Sequence, residues 1–191
     1  MPRSPKYIEA MRAYDEDQFE VALRLMEECA EEGDPVACFT SALWLKEGDG
    51  SNMGLRRSEH WLKRFEELAK SGDSEAQWEL GQHYRFGNLF PVDIEKANHW
   101  LEMAANNGSG AAQHHLSWYL QTGQYGYPVN TELSRTWFER ALAQEYPESL
   151  YAHALQLFED GRPTEEAVRL LRKAAEKGFQ PADEVLRAVI Q

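Results

Sequence analysis

The sequence has little cysteine, an excess of acidic over basic residues and no long apolar run, and each of these features excludes a class of protein. Only Cys29 and Cys38 are present, too few for the disulfide framework of a small secreted domain. Lys and Arg number 20 against 32 Asp and Glu, so the formal net charge is −12. A chain this acidic repels nucleic-acid phosphates and anionic lipids, so neither is expected as a partner. No stretch has the roughly 20 consecutive apolar residues of a membrane-spanning helix.

The beginning of the chain and the two cysteines together predict a cytoplasmic protein. Residues 1–18, MPRSPKYIEAMRAYDEDQ, contain no apolar core of a secretory signal. Two reduced, packed thiols are therefore expected. The alternative is one disulfide, which would join Cys29 at the end of one helix to Cys38 near the start of the next, across the turn EEGDP.

The sequence also lacks the common signatures of catalysis and of metal or cofactor binding. It has no H-E-x-x-H motif, no pair of histidines at i and i+4, no phosphate-binding loop and no dinucleotide fingerprint. His114 and His115 are adjacent, so they lie on different faces of a helix. The segment GSG at 108–110 lacks the preceding strand of a nucleophile elbow. We therefore expect no catalytic residue, no cofactor and no bound metal.

The feature that the sequence does contain is a helical repeat. Prolines lie between the helical patterns and no segment alternates like a strand, which predicts an all-α protein. The segment EAQWELGQHYRFG, residues 75–87, aligns with AAQHHLSWYLQTG, residues 111–123, at an offset of 36 residues. The segment VACFTSALWLKEG, residues 36–48, aligns with the first at an offset of 39. Ala42, Gly81 and Ser117 share one position in this alignment, where a small residue allows close approach of a partner helix.

A second set of helices follows these segments and aligns in the same way. Trp61, Trp100 and Trp137 share one position, taken by Leu170 in the last copy, and this recurrence favours packing over ligand binding. The segment QFEVALRLMEECAEEG has the same character and follows a short helix around residues 7–14. The chain is therefore predicted to be a row of helix pairs, which bury their apolar faces by stacking on one another.

The segment AQWELGQHYRFGN, followed by EKANHWLEMAANNG, resembles the Sel1-like repeat, a relative of the tetratricopeptide repeat. The resemblance covers essentially the whole chain. It implies an all-α, right-handed α-solenoid of antiparallel helix pairs in a single domain, 1–191, with about four full repeats. The expected parts are an N-terminal helix pair (5–34), repeats at 35–73, 74–110, 111–147 and 148–180, and a capping helix at 181–191. In the last repeat, Ala154 and Leu155 are placed at the Leu-Gly position.

The resemblance also implies a role in protein–protein binding, common in bacterial signalling, secretion and effector systems, and it brings no catalytic residue. The exposed face of the first helix in each pair is expected to line a concave groove. Residues at i, i+4 and i+7 share such a face. The predicted partner-binding residues are Phe39, Leu43, Lys46, Trp78, Gln82, Arg85, His114, Trp118 and Gln121. In the last repeat the corresponding positions would be Ala152, Gln156 and Glu159.

Three hypotheses for function remain open from the sequence. The first is a non-enzymatic interaction module that binds a segment of a partner protein in its concave groove, with a basic, extended or helical segment suiting the acidic surface. The second is an immunity or inhibitor protein that neutralises a bacterial effector. The third is a structural scaffold that self-associates through the ends of the solenoid.

Overall fold

A computed structural model describes residues 3–48, 52–159 and 165–189, and none of these residues lies in a strand. The described residues form eleven α-helices and a 3-10 helix at Gln124–Gly126, which confirms the predicted all-α class. The α-helices are α1 (Pro5–Asp15), α2 (Phe19–Glu31), α3 (Pro35–Gly48), α4 (Asn52–Lys70), α5 (Ser74–Phe86), α6 (Ile94–Asn106), α7 (Gly110–Thr122), α8 (Thr131–Ala143), α9 (Pro147–Glu159), α10 (Glu165–Glu176) and α11 (Gln180–Val189). We call α1, α3, α5, α7 and α9 the first helices, and α2, α4, α6, α8 and α10 the second helices.

The chain divides into two compact units, residues 1–107 and 108–191. In the first unit, α1 packs with α2, α3 with α4 and α5 with α6, and α2 and α4 also pack on the following first helices. Its buried core is continuous across the three pairs and has Met26, Phe65 and Leu80 among its large side chains. Sharing of one core by successive pairs is the packing expected for stacked repeats.

The second unit contains two helix pairs and the terminal helix. In it α7 packs with α8, α9 with α10, and α10 with α11. A core of small and branched side chains, including Leu150, Leu171 and Leu186, joins α9, α10 and α11. The apolar side of α11 is therefore buried by the helix pair that precedes it.

Local signals in the sequence begin and end the first helices α5 and α7. The carboxylate of Asp73 accepts a hydrogen bond from the backbone N–H of Ala76 at 2.7 Å, and the Ser109 hydroxyl accepts one from Ala112 at 3.2 Å. Such N-caps satisfy backbone donors that the first helical turn leaves free. Gly87 and its counterpart at the end of α7 have positive φ angles of 75° and 72°, a conformation that glycine adopts without strain.

Gly81 lies where α5 meets the backbone of α6. A Cβ atom at Gly81 would be 3.2 Å from the carbonyl oxygen of Ala97 and 3.4 Å from the amide nitrogen of Leu101. The neighbouring pairs make equally close contacts at the same position. Ser58 of α4 donates a hydrogen bond to the Ala42 carbonyl at 2.8 Å, and Ser134 of α8 donates to the carbonyl of Ser117 at 2.8 Å. The prediction that a small residue here allows close helix approach is confirmed.

The side chains predicted to be structural lie in the cores. Trp61 and Trp137 are 6% and 8% exposed, Leu170 is 7% exposed, and Trp100 is half-buried against the core of the first unit. Cys29 and Cys38 are both buried free thiols. The packing role of the second-helix tryptophans therefore agrees with the sequence-based expectation, and the reduced state of the cysteines stays a prediction.

The register predicted for the last repeat is wrong by one residue. Helix α7 begins at Gly110 and α9 begins at Pro147, 37 residues later, so Ala154 corresponds to Ser117. Ala154 is 0% exposed, as a small residue at the helix contact should be. The register predicted from the sequence puts Leu155 at that position instead. The positions expected to face the groove shift from Ala152, Gln156 and Glu159 to Tyr151, Leu155 and Phe158. The last repeat contains no Leu-Gly pair, so residue types alone do not show that Ala154 takes the position of the glycine.

Candidate functional site

The nine predicted partner-binding residues differ in how far their side chains are open to solvent. Lys46, Trp118 and Gln121 are exposed, whereas Arg85 is buried. The remaining five, Phe39, Leu43, Trp78, Gln82 and His114, are half-buried. Those of α3 and α5 belong to the first unit and those of α7 to the second, and their grouping into one binding patch stays a prediction.

Phe39 on α3 faces the neighbouring first helix. Its ring centroid is 4.5 Å from that of His83 on α5, with the rings nearly perpendicular, and 5.8 Å from that of Phe65 on α4. Edge-to-face contacts at such distances stabilise packed aromatic rings. Phe39 therefore helps to join two successive repeats, which leaves only part of its surface for a partner.

His114 on α7 is placed in the same way against the start of α9. Its Nδ1 atom is 2.9 Å from the hydroxyl oxygen of Ser149, and its ring lies 5.7 Å from that of Tyr146. Burial lowers the pKa of His114, because desolvation disfavours the charged ring. Burial therefore favours the neutral form of the imidazole at this contact between two first helices.

Arg85 is 4% exposed and lies against the second helix of its own repeat. Its Nη2 atom donates a hydrogen bond to Oδ1 of Asn98 on α6 at 3.2 Å. Arg85 follows Gly81 by four residues, so both occupy the helix face that packs on α6. Its guanidinium does not face an open groove in this structure, contrary to expectation, and its partner-binding role stays a prediction.

Trp118 is an exposed aromatic side chain held by its neighbours in the second unit. The residue is 45% exposed, and its ring lies 5.3 Å from that of Tyr119. Tyr119 is in turn packed against Tyr125 at 4.8 Å and Tyr127 at 6.1 Å. Both of these tyrosines come from the connection between α7 and α8. The indole therefore stands on a supported aromatic cluster rather than on a mobile chain end, with exposed Gln121 one turn away.

Sequence reasoning missed two features of α5. Phe86 is 56% exposed and follows half-buried Gln82 by four residues, so the same helical spacing could have identified it. Glu79 is a largely desolvated carboxylate, and its burial, with Glu75 nearby, raises its pKa to about 7.

The carboxylates near the first helices of the first unit are partly neutralised by the N-terminal segment. The Arg3 guanidinium lies 3.3 Å from Asp34 and 2.8 Å from Glu75. It also lies 5.3 Å from the centre of the Tyr7 ring, within cation–π range. These contacts attach the segment before α1 to the starts of α3 and α5.

Metal binding and membrane insertion are two further roles that the described parts of the chain bear on. There, no group of three or more His, Cys, Asp or Glu side chains is arranged to hold a metal ion. No helix among those residues combines the length and apolarity needed to cross a membrane.

Comparison with known proteins places this architecture in a family. The model of the Sel1 repeat matches residues 74–109, 110–146 and 147–179. The crystal structure of a Sel1 repeat protein from Oxalobacter formigenes is 31% identical, with a TM-score of 0.56, over 66% of this chain and 97% of that protein. Sel1 repeat proteins generally mediate protein–protein interactions.

Two further similarities extend over most of the chain. An immunity protein from Pseudomonas aeruginosa, Pa5087, is 17% identical, with a TM-score of 0.58, over 95% of this chain and 70% of its own; this likeness shows the fold alone. An uncharacterised protein of Neisseria meningitidis serogroup B is 29% identical over 166 residues, 85% of this chain. The chain spans about a third, 33%, of that relative's length. Three matched repeats and their small-residue helix contacts lead to one conclusion: the chain belongs to the Sel1 repeat family.

Proposed function

We propose that this chain is a non-enzymatic module that binds a partner protein through the exposed face of its first helices. The observation that carries the proposal is a contrast between two tryptophans of the second unit. Trp137, on a second helix, is 8% exposed, whereas Trp118, on a first helix, is 45% exposed. Burial of an exposed indole by a partner is favourable, because it removes a large apolar area from solvent.

Trp118 has the properties of an interface anchor. Tryptophan is among the residues that most often dominate binding energy in alanine scans. The contacts of Trp118 with Tyr119, and of Tyr119 with Tyr125, restrict its motion before a partner arrives. Less side-chain entropy is then lost on binding. The same repeat position holds Leu43 and Gln82 in the first unit, so the surface differs along the chain as a specific recognition surface would.

The proposed partner presents a basic segment. The net charge of −12 attracts positively charged proteins and speeds their encounter with this chain. Steering of this kind weakens as salt is added. The proposed segment is extended or helical, since either form fits along a row of helices.

Two narrower statements belong to the same proposal. We assign no catalytic role, because the motifs of the common enzyme classes are missing from the sequence. We place the protein in the cytoplasm, where two buried free thiols remain reduced. The immunity function named for the Pseudomonas structure is not extended to this chain, because that protein shares only its fold with it.

Site-specific photo-crosslinking in the native cell tests this function. A benzophenone amino acid is introduced at Trp118 in one strain and at Glu139, an exposed residue of the second helix α8, in a matched strain. After irradiation, adducts are identified by mass spectrometry. We expect one discrete protein adduct from position 118 and none from position 139.

The captured protein then serves as a purified ligand for titration. Trp118→Ala should weaken its binding by about thirtyfold, equivalent to about 2 kcal/mol, while the helical circular dichroism is unchanged. Equal crosslinking at both positions, or a partner that binds Trp118→Ala as tightly as the parent protein, would refute the proposed surface.

A further inference from the structure

An aromatic pocket opens in the first unit, where α1 and α3 end and α2 begins. Its volume is about 610 Å³, and its apolar lining includes Tyr14, Phe19, Trp44 and Leu45. This is within the size range of ligand-binding clefts in proteins. The pocket is distinct from the Trp118 surface, which lies in the second unit, and no function described above uses it.

The walls of the pocket are held in place by ring contacts. Tyr14 and Trp44 stack with their ring centroids 4.5 Å apart and their planes within 8° of parallel. Phe19 meets Tyr14 edge-on, at 5.3 Å and 78°. Even so, Phe19 is 54% exposed and Tyr14 is 37% exposed. Three aromatic residues from three helices therefore form a fixed apolar surface that is incompletely buried.

The residues that adjoin the pocket in the sequence differ from their counterparts in later repeats. In later repeats the connection after the first helix supplies an aromatic side chain that packs on that helix. Phe90 stacks on Tyr84 at 4.8 Å, and Tyr125 packs on Tyr119 at 4.8 Å. In the repeat alignment, Tyr84 corresponds to Leu45 of α3 and Tyr119 corresponds to Trp44 of α3. By contrast, the sequence between α3 and α4 is Asp-Gly-Ser at 49–51, and the turn after α1 is Glu-Asp-Gln at 16–18; neither contains an apolar side chain.

The rim of the pocket is acidic. Glu20 and Glu47 contribute to the lining, and both are exposed, as are Asp15, Glu16 and Asp17 in the adjoining turn. Arg57 also lines the pocket, and its guanidinium is bound to the carboxylate of Glu27 at 2.5 Å. The rim carboxylates Glu20 and Glu47 are thus placed to receive cations from outside the chain.

We propose that this pocket binds a large apolar side chain, preferably aromatic, that is flanked by lysine or arginine on a partner protein. The apolar group occupies the place that Phe90 or Tyr125 fills in its own repeat. The flanking cations pair with the rim carboxylates and lie over the aromatic faces, both of which are favourable contacts. Lysine and arginine on each side of the apolar residue complete the match in charge.

Three synthetic peptides of equal length test the proposal on the full chain. Ac-GKKFKKG-NH2 carries both features, Ac-GKKGKKG-NH2 lacks the apolar anchor, and Ac-GEEFEEG-NH2 reverses the charge. Binding is followed by nitrogen–proton correlation NMR of the tryptophan indole signals, with that of Trp44 assigned by its disappearance in Trp44→Phe. We expect the first peptide to shift this signal and to bind about tenfold more tightly than either of the others.

Two phenylalanines of similar exposure, Phe19 at 54% and Phe86 at 56%, provide the matched variants. Phe19→Ser removes a wall of the pocket, and Phe86→Ser removes a ring of 56% exposure at the end of α5. The first should weaken binding of the basic Phe peptide by about fivefold or more, and the second should leave it within about twofold of the parent. Glu47→Lys on the exposed rim should weaken it to a similar degree and reduce its salt dependence.

The result that would overturn the proposal is equally specific. It fails if the three peptides bind alike, if none moves the Trp44 signal, or if Phe19→Ser binds as the parent does. Because the pocket and Trp118 are tested with different ligands and in different units, these outcomes leave the proposed function of the first-helix face to its own experiment.

Discussion

Replacement of Gly81 tests whether the contact between α5 and α6 depends on the missing side chain. A Cβ atom at this position would lie 3.2 Å from the Ala97 carbonyl oxygen and 3.5 Å from the Cβ of Trp100. The nearest atom belongs to a helix backbone, so relief requires α6 to shift as a unit by a few tenths of an ångström. A larger side chain cannot be accommodated by a change of rotamer in a neighbour.

Two opposing effects determine how Gly81→Ala changes the free energy of unfolding. The substitution gains about 1 kcal/mol of helix propensity, and it loses a comparable amount if the tight contact strains the pair, so the net change should be within about 1 kcal/mol. Gly81→Leu keeps the propensity gain but adds three more carbon atoms at the same contact. Overpacking of this kind costs about 1–3 kcal/mol or more.

Urea unfolding followed by circular dichroism at 222 nm measures both changes. Gly48 provides the control, because it lies in α3 and a Cβ there would have nothing within 4 Å. Gly48→Leu should leave the urea midpoint unchanged or raise it, whereas Gly81→Leu should lower it clearly. If Gly81→Leu unfolds at the midpoint of the parent protein with the same dependence on urea, the close approach of α5 and α6 does not require glycine.

Further outcomes are expected for titration, thiols and tryptophans. Burial lowers the pKa of His83 to about 4, so stability present above pH 6.5 should decline by roughly 2–3 kcal/mol as the pH falls towards 4, and His83→Leu should remove this slope in urea midpoints. Glu79, with a pKa raised to about 7, should cause the opposite loss as the pH rises from 4.5 through 7, and Glu79→Gln should abolish it. Burial raises the pKa of Cys38 to about 12, so a thiol reagent should react only after unfolding and reductant should not change the melting temperature; an intact mass two units low would contradict this. Trp137→Ala should cost about 3–5 kcal/mol and Trp118→Ala about 1 kcal/mol in the same assay, and equal losses would show that Trp118 is a core residue.

The repeat and its helix contacts could be predicted because they recur within one chain. Ala42, Gly81 and Ser117 share a position, and in each case a residue of the second helix comes against the backbone there. Recurrence at a fixed offset separates a structural requirement from chance. It also identified Trp61 and Trp137 as packed side chains, and the structure buries both.

The orientation of individual side chains on the first helices could not be predicted to the same extent. Spacing at i, i+4 and i+7 places residues on one face but does not say what that face contacts. A first helix in a stacked array has neighbours on several sides, so Phe39 and His114 lie against the next first helix. The burial of Arg85 was predictable in principle, because it follows Gly81 by one turn and shares its contact with α6.

The aromatic pocket brings together side chains from three helices, which no single helix pattern reveals. Tyr14 and Trp44 come from different repeats, and their stacking follows from the way the pairs pack. The sequence does show that the connection after α3 lacks an aromatic residue. The difference from the later repeats becomes evident only from the structure, in which Phe90 and Tyr125 pack on aromatic side chains of their own first helices.

The caps described for α5 and α7 also bear on how such a chain can lengthen. Helices α5, α7 and α9 begin at Ser74, Gly110 and Pro147, so a duplicated segment of 36 or 37 residues carries its own starting cap, its own stop and its own small-residue contact. Insertion of a whole period therefore leaves every helix face in register with its neighbours. A single inserted residue inside a helix instead rotates all later positions by about 100° and exposes the apolar face. Growth by complete repeats is thus the change in length that this architecture tolerates without redesign of the rest.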